Sequence, residues 1–178
     1  KYDSLGNMLW YKHFGGLGED NAFDAVCDQN GNLIVSGYFQ QTVQFGTETL
    51  TSNGGVDAFI IKFDPAGNVV WAISFGGAGD EGGNEVSMSN NNTSIACADA
   101  DGDFNLGSFS ITNTGNRDAY IMSITENGVV EWIRAIEGTG GVRSKSVAVD
   151  ENGNIFYGGD FFGSNEVVDE SSNGHAFT

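Results

Sequence analysis

Hydrophobic and polar residues alternate in short stretches along this chain, and a period of two predicts β-strands. Four stretches in the first part of the sequence show the pattern: Phe23 to Asp28, Asn32 to Phe39, Asp57 to Asp64 and Val69 to Phe75. Turn residues separate them, and the Asn30-Gly31 pair tolerates the positive φ angles of a tight hairpin. No stretch keeps an apolar period of about 3.6 residues over three turns, so the sequence predicts an all-β fold.

The three tryptophans divide the chain into units of equal length, since 71 − 10 = 61 and 132 − 71 = 61. Other landmarks recur in the same register, and the repeated structural positions are Trp10, Trp71, Trp132, Asp57, Asp118, Gly15, Gly16, Gly76 and Gly77. Self-similarity at a fixed period is the signature of a repeat architecture. The register predicts repeat units at approximately residues 1–61, 62–122 and 123–178.

An insertion between the second and third strands makes each unit long. In the first unit it covers Gln40 to Val56, where Val43 to Gly46 and Thr49 to Ser52 predict an extra hairpin or edge flap. The third unit has a shorter insertion, because Ala176 follows Ala119 by 176 − 119 = 57 residues. Loops on one face absorb such length changes.

A four-stranded antiparallel unit cannot bury both of its faces alone, so neighbouring units must stack. Radial repetition of such sheets gives a β-propeller, in which each glycine corner carries the chain from the outer strand of one blade to the inner strand of the next. Three four-stranded antiparallel repeats are too few to close a ring, so we expect them to be part of a larger propeller. An open β-solenoid is the less favoured alternative.

The stretch from Asp57 to Gly77, DAFIIKFDPAGNVVWAISFGG, with Asp28-x-x-Gly31-Asn32 upstream, resembles the SBBP β-propeller repeats of large secreted and surface proteins of bacteria. The resemblance covers nearly the whole chain in three copies. It implies propeller blades and an extracellular or cell-surface location, and it says little about activity, because the family is defined by architecture. The second unit departs from the pattern where Ser89 to Thr93 replaces Asp28 to Asn32.

Charge, apolar runs and cysteine content exclude several kinds of partner and fold. The chain has 24 acidic and 7 basic residues, a net charge of −17, which repels phosphate backbones and excludes nucleic acid as an expected partner. No apolar run reaches the roughly 18 residues of a membrane span. Cys27 and Cys97 are too few for a disulfide scaffold, and each is predicted to be a small buried hydrophobe.

One acidic loop is a candidate metal site. Its oxygen-bearing residues alternate along the chain, with Gly102 for a sharp turn, and they are Asp99, Asp101, Asp103 and Asn105. This pattern suits a hard cation, so calcium is the one possible cofactor that the sequence suggests. The loop lacks the bidentate Glu of a complete calcium loop, since residue 110 is Ser. A solvated acidic loop without metal is the favoured alternative.

Acidic residues also gather at the glycine corners, as Glu19, Asp20 and Asp24 in the first unit and Asp80, Glu81 and Glu85 in the second. Paired carboxylates can perform acid/base chemistry. The third unit replaces them with Gly141, Val142 and Ser146, so a charged, solubilising rim is favoured and no catalytic residue is predicted.

Three residue types remain. The repeated tryptophan is predicted to pack one blade on the next, with a sugar-stacking platform as the alternative. Asp57 and Asp118 are predicted to brace backbone amides near turns. His13 and His175 occupy unmatched positions in the repeat, so a shared metal site is not expected.

The chain begins and stops within the repeat position of a third strand, which predicts a segment of a longer chain. The alternative is that the ends join another copy and share a blade, giving a ring of six blades from two chains. We expect a binding or structural module with a glycan or surface protein as partner, and adhesion as its leading role. The other hypothesis is a propeller enzyme, such as a glycan hydrolase or lyase, whose catalytic residues lie outside this segment.

Overall fold

The computed structural model of the chain describes residues 1–113, 116–138, 140–163 and 167–168. These residues form strands, turns and loops, and among them there is no helix long and apolar enough to cross a membrane. The strands are β1 (Asn21–Cys27), β2 (Leu33–Phe45), β3 (Glu48–Phe63), β4 (Val69–Phe75), β5 (Glu81–Met88), β6 (Ser94–Ala100), β7 (Phe104–Leu106), β8 (Phe109–Ile111), β9 (Asp118–Ile124), β10 (Val130–Gly138), β11 (Val142–Val149), β12 (Ile155–Phe161) and β13 (Val167–Val168). The predicted all-β class with antiparallel pairing is confirmed.

The first sheet has four antiparallel strands in the order β1-β2-β3-β4. β4 begins and ends where the alternation predicts, whereas β2 ends later than predicted and β3 begins earlier. Their extensions pair with each other, with Val43 opposite Leu50 and Phe45 opposite Glu48. The extra hairpin expected between Gln40 and Val56 is therefore part of the sheet itself.

The second sheet has the order β13-β10-β9-β6-β5. Its strands β5, β6, β9 and β10 follow one another as a meander, as β1 to β4 do in the first sheet. The insertion of this unit forms a separate hairpin, β7 with β8, in which Phe104 pairs with Ile111. β11 and β12 make a third, two-stranded antiparallel sheet. Ala176 and His175 lie outside the described residues.

The hydrophobic core lies between successive sheets. Ile34 and Ile60 of the first sheet belong to one buried cluster with Ala96 and Met122 of the second. A further cluster joins Cys97 of the second sheet to the third sheet, where Val147 is buried. Because strand side chains alternate between faces, the second sheet supplies one set of apolar residues to the first sheet and another set to the third.

The turn after β1 shows how the hairpins are built. The Asp28 carboxylate accepts hydrogen bonds from the backbone N–H groups of Asn30 and Asn32, both at 2.9 Å, which is the Asx-turn arrangement. Gly31 has φ +79°, but Asn30 is not among the positive-φ residues. The predicted hairpin turn at Asn30-Gly31 is therefore present, and within it the glycine alone is left-handed.

The two cysteines differ in environment. Cys97 is buried, as expected, since β6 is an inner strand of a sheet covered on both faces. Cys27 is exposed, and the expectation of burial is wrong for this residue. It ends β1, the edge strand of the first sheet, which pairs with β2 on one side.

Candidate functional site

Tryptophan indoles join one repeat unit to the next. Trp10 Nε1 donates a hydrogen bond to the Pro65 carbonyl at 3.0 Å. Trp71 Nε1 donates to the Glu126 carbonyl at 2.9 Å. The two pairs are related by one shift along the chain, since 71 − 10 = 61 and 126 − 65 = 61. Each indole thus contacts the turn that precedes the fourth strand of the following unit.

Each of these indoles also lies on a glycine of that same turn. Gly67 and Gly128 both have φ +81°. A Cβ atom on Gly67 would lie 3.3 Å from the Trp10 ring, and one on Gly128 would lie 2.9 Å from the Trp71 ring. The sequence places these glycines in turns but gives no hint of the indole, except that each follows a tryptophan by 57 residues (67 − 10 and 128 − 71).

A buried ion pair supports the same contact. Lys62 Nζ lies 3.0 Å from Asp28 Oδ2, with the two side chains 3% and 0% exposed. Lys62 Nζ also donates to the Glu126 carbonyl at 3.4 Å. Burial alone raises the pKa of Asp28, but hydrogen bonds from Asn32 and Lys62 outweigh it and hold the pKa below its ordinary value.

Polar side chains bridge the units along the edge of the sheets where the hairpin turns lie. Gln29 Nε2 donates to the Asn90 carbonyl at 2.8 Å. Asn90 Nδ2 donates in turn to the Glu151 carbonyl at 2.7 Å. Amide side chains therefore connect three successive turns, from the first unit to the third.

Two of the acidic corner residues accept backbone hydrogen bonds across the stacked sheets. Asp24 accepts from the Val86 N–H at 3.0 Å, and Glu85 accepts from the Val147 N–H at 3.3 Å. Both contacts link one edge strand to the equivalent strand of the next sheet. These carboxylates therefore act as acceptors between sheets, which the sequence analysis did not anticipate.

Glu81 is a buried carboxylate at the corner between the first two sheets. It is 1% exposed, and its Oε2 accepts a hydrogen bond from the Gly77 N–H at 2.9 Å. Oε1 is buried without a hydrogen-bond partner. Burial, together with the charges of Asp57, Asp101 and Asp80, raises the pKa of Glu81 to about 7.

The predicted structural aspartates lie nearby. Asp57 is fully buried within β3 and accepts hydrogen bonds from the backbone N–H of Asn53 at 3.1 and 3.2 Å. Burial raises its pKa. A Cβ atom on Gly76 would overlap the Asp57 carboxyl carbon. Asp118 begins β9 and is buried.

Two other corner glycines lie against backbone carbonyls, and a third lies beside a side chain. A Cβ atom on Gly16 would overlap the Thr42 carbonyl, and one on Gly77 would overlap the Asp103 carbonyl. On Gly15 a Cβ atom would lie 3.1 Å from an Asp20 carboxylate oxygen. These corners therefore use glycine because the chain passes against other atoms.

The acidic loop has a counterion, Arg117, that the sequence analysis did not predict. Arg117 Nη1 donates to Asp99 at 2.8 Å, and the same guanidinium is paired with Asp101. Asp99 is 4% exposed and also accepts hydrogen bonds from Asn84 and from the Ser144 N–H, both at 3.2 Å. Burial outweighs these contacts and raises the pKa of Asp99.

The remaining candidate metal ligands have protein partners too. Asp103 accepts from the Asn113 N–H at 2.9 Å, and Asn105 Oδ1 accepts from the Ser110 hydroxyl at 2.8 Å. Within the described ranges, no group of three or more His, Cys, Asp or Glu residues is arranged to hold a metal ion. Calcium binding at Asp99, Asp101, Asp103 and Asn105 stays a prediction.

A family model matches one part of the chain. Residues 131–160 match the SBBP family, described as a beta-propeller repeat. That match runs from β10 to β12 and so covers one passage from the second sheet to the third. Together with the stacked antiparallel sheets, it supports a β-propeller repeat protein.

A curated relative gives a second comparison. An uncharacterized WD repeat-containing protein of Acanthamoeba polyphaga mimivirus is 26% identical over 165 residues, which are 85% of this chain and 12% of that protein. The chain therefore spans about an eighth of the length of the relative that it matches. The expected bacterial origin stays a prediction.

Proposed function

We propose that this chain is a β-propeller segment of three four-stranded units of about 61 residues, acting as a binding or structural module on the outside of a cell. The observation that carries the propeller arrangement is the recurrence of the Trp10–Pro65 contact as Trp71–Glu126. Because the same donor, acceptor and glycine meet again one unit later, the unit can be repeated until a ring is complete.

The binding role is supported by the edge that carries the hairpin turns. There the turns at residues 28–32, 89–93 and 150–154 present Asn, Gln, Ser and Glu side chains, and the Gln29 and Asn90 amides hold successive turns together. A row of polar groups on rigid turns is suited to hydrogen bonding with a glycan or with another protein's surface. Strong acidity and abundant Gly and Asn suit a secreted or surface protein.

A direct test uses the full chain on a glycan array and on a panel of cell-surface proteins. Asn152→Ala changes the polar edge, and Asn105→Ala, in the β7–β8 hairpin, is the matched control. A ligand lost in the first variant and kept in the control supports the proposal. No ligand for the chain, together with polysaccharide hydrolysis by a longer protein that contains it, overturns the binding role in favour of a propeller enzyme.

A further inference from the structure

The buried Glu81 has an equivalent in the first unit, Asp20, since 81 − 20 = 61. Asp20 Oδ2 accepts a hydrogen bond from the Gly16 N–H at 2.7 Å, and Oδ1 accepts one from the Gln40 N–H at 3.4 Å. Both oxygens of this exposed carboxylate therefore have a backbone donor. The third unit has Val142 at the same position and carries no charge there.

In the second unit only half of this arrangement is present. Glu81 Oε2 accepts a hydrogen bond from the Gly77 N–H at 2.9 Å, as in the first unit. The residue that matches Gln40 is Asp101, since 101 − 40 = 61, but its N–H donates to the Asp80 carbonyl at 3.3 Å. Glu81 Oε1 is therefore buried with no hydrogen-bond partner among the described residues.

Two glycines lie beside this unpartnered oxygen. A Cβ atom on Gly79 would lie 3.3 Å from Glu81 Oε1, and one on Gly102 would lie 3.9 Å from it. Neither glycine has a positive φ, so the backbone conformation does not require glycine at these positions. Both lack the side chain that would otherwise occupy the space next to Oε1, between the corner and the acidic loop.

The charge of Glu81 is not balanced by any ion pair among the described residues. Burial and the charges of Asp57, Asp101 and Asp80 raise its pKa to about 7, so the carboxyl group is ionised at pH 8. The guanidinium of Arg117 is already paired within the acidic loop. A buried carboxylate is normally paired or bound to a metal ion, and a cation from solution can supply the missing charge.

The available ligands suit a monovalent cation better than a divalent one. Calcium takes about six to eight oxygen ligands, several of them from carboxylates, and the described residues contain no group of three or more His, Cys, Asp or Glu arranged to hold a metal ion. Glu81 offers one free oxygen and one negative charge. We propose that Glu81 Oε1 binds a sodium ion between Gly79 and Gly102. The ion connects the corner of the second unit to the acidic loop.

The test is thermal unfolding of the full chain at pH 8 in sodium chloride and in tetramethylammonium chloride of equal concentration. Because the net charge is −17, both salts screen repulsion, and only the difference between them reports a site. We expect sodium to raise the Tm of wild type by roughly 3 to 5 °C more than tetramethylammonium does. At pH 5 the carboxyl group of Glu81 is protonated, so the two salts should act alike.

Two variants locate the ion. Glu81→Gln removes the carboxylate and should lose the sodium-specific shift. Gly102→Ala places a methyl group beside Oε1, with no atom closer than 3.6 Å to the new Cβ, and should reduce the shift. The controls are Glu48→Gln, at an exposed position, and Gly158→Ala, whose Cβ would lie no closer than 3.8 Å to any atom. Both controls should keep the shift of wild type.

Three results would overturn the proposal. If the two salts give equal Tm values for wild type at pH 8, sodium acts only by screening. If the sodium-specific shift survives Glu81→Gln, the ion is bound elsewhere. If Gly102→Ala leaves the shift unchanged, the ion does not lie between the corner and the acidic loop.

Discussion

The indole of Trp71 lies directly against Gly128, so close that a Cβ atom on the glycine would come within 2.9 Å of the ring. Such a distance is shorter than side chains tolerate, and the glycine also has φ +81°. Two independent reasons therefore require glycine at this position. The indole hydrogen bond to the Glu126 carbonyl lies beside this contact, so both hold Trp71 against the same turn.

Gly128→Ala is expected to destabilise the protein by about 3 kcal/mol, as it combines a left-handed alanine with overpacking against the indole. Gly153→Ala is the matched control, with φ +83° and no atom within 4 Å of the Cβ position, and should cost about 1 kcal/mol. Urea unfolding of both variants measures the difference. Equal losses would contradict a close indole contact.

Lys62→Met is expected to lower the free energy of unfolding by about 3 to 5 kcal/mol, because it leaves the buried Asp28 carboxylate without its cation. Lys145→Met is the control. Its ion pair with Asp160 is 3.5 Å long and more than half exposed on both sides, so the loss should be about 0.5 kcal/mol or less. Similar losses for the two lysines would argue against the buried pair.

The Asp28–Lys62 ion pair predicts that the free energy of unfolding falls at acid pH. The pKa of Asp28 is lowered in the folded state, so its stabilisation is present above the ordinary value of 3.8 and is lost as the pH falls below it. Lys62→Met should make this fall smaller. Chemical unfolding of wild type and variant between pH 5 and about pH 3 provides the measurement. An unchanged fall in the variant would show that other carboxylates cause it.

Glu81 has the opposite effect on stability, which it lowers as the pH rises, and Glu81→Gln should remove that effect. The folded-state pKa of Glu81 is raised from 4.5 to about 7, so the folded protein binds the extra proton and loses stability as the pH rises from 4.5 to about 7. The neutral glutamine avoids this loss. The variant should match wild type near pH 4 and exceed it by about 2 to 3 kcal/mol at pH 8.

The control for Glu81 is Glu48→Gln, which removes the same charge from an exposed position at the start of β3. Unfolding curves for the three proteins are compared across the pH range. If Glu48→Gln gives the same gain at pH 8, the effect comes from the net charge of −17 and not from burial of Glu81.

The calcium hypothesis can be tested through Arg117. The guanidinium already pairs with Asp99 and Asp101, so calcium must displace it in the wild type. If the loop binds calcium, adding calcium should raise the melting temperature of Arg117→Gln more than that of wild type, and that of Asp103→Asn less. No response of any of the three to millimolar calcium identifies the loop as an ion-pair network without metal.

The alternation of side chains and the turn residues between the stretches located the strands of the first sheet, although β2 and β3 are longer than predicted. β4 matches its predicted limits, and the insertion hairpin lies where turn residues placed it. The period of the tryptophans located the residues that join units. These features are local or repeated, so a single sequence displays them.

What the sequence could not reveal depends on residues brought together from distant positions. Arg117 pairs with Asp99 across 18 positions, and nothing in its own surroundings marks it as the counterion of the acidic loop. The sequence suggests that Glu81 is an exposed corner residue beside Asp80, yet its side chain is buried. Cys27 shows the reverse, since its alternating pattern promises burial that an edge strand does not provide.

The most direct test of the stacked repeat is hydrogen exchange of the three indole Nε1–H groups, which give three separate signals in a ¹⁵N-correlated NMR spectrum. Trp10 and Trp71 should exchange slowly because they donate to the Pro65 and Glu126 carbonyls, and Trp132, whose indole donates no hydrogen bond to the described residues, should exchange faster. Equal, fast exchange of all three indoles would contradict the contact on which the account is built.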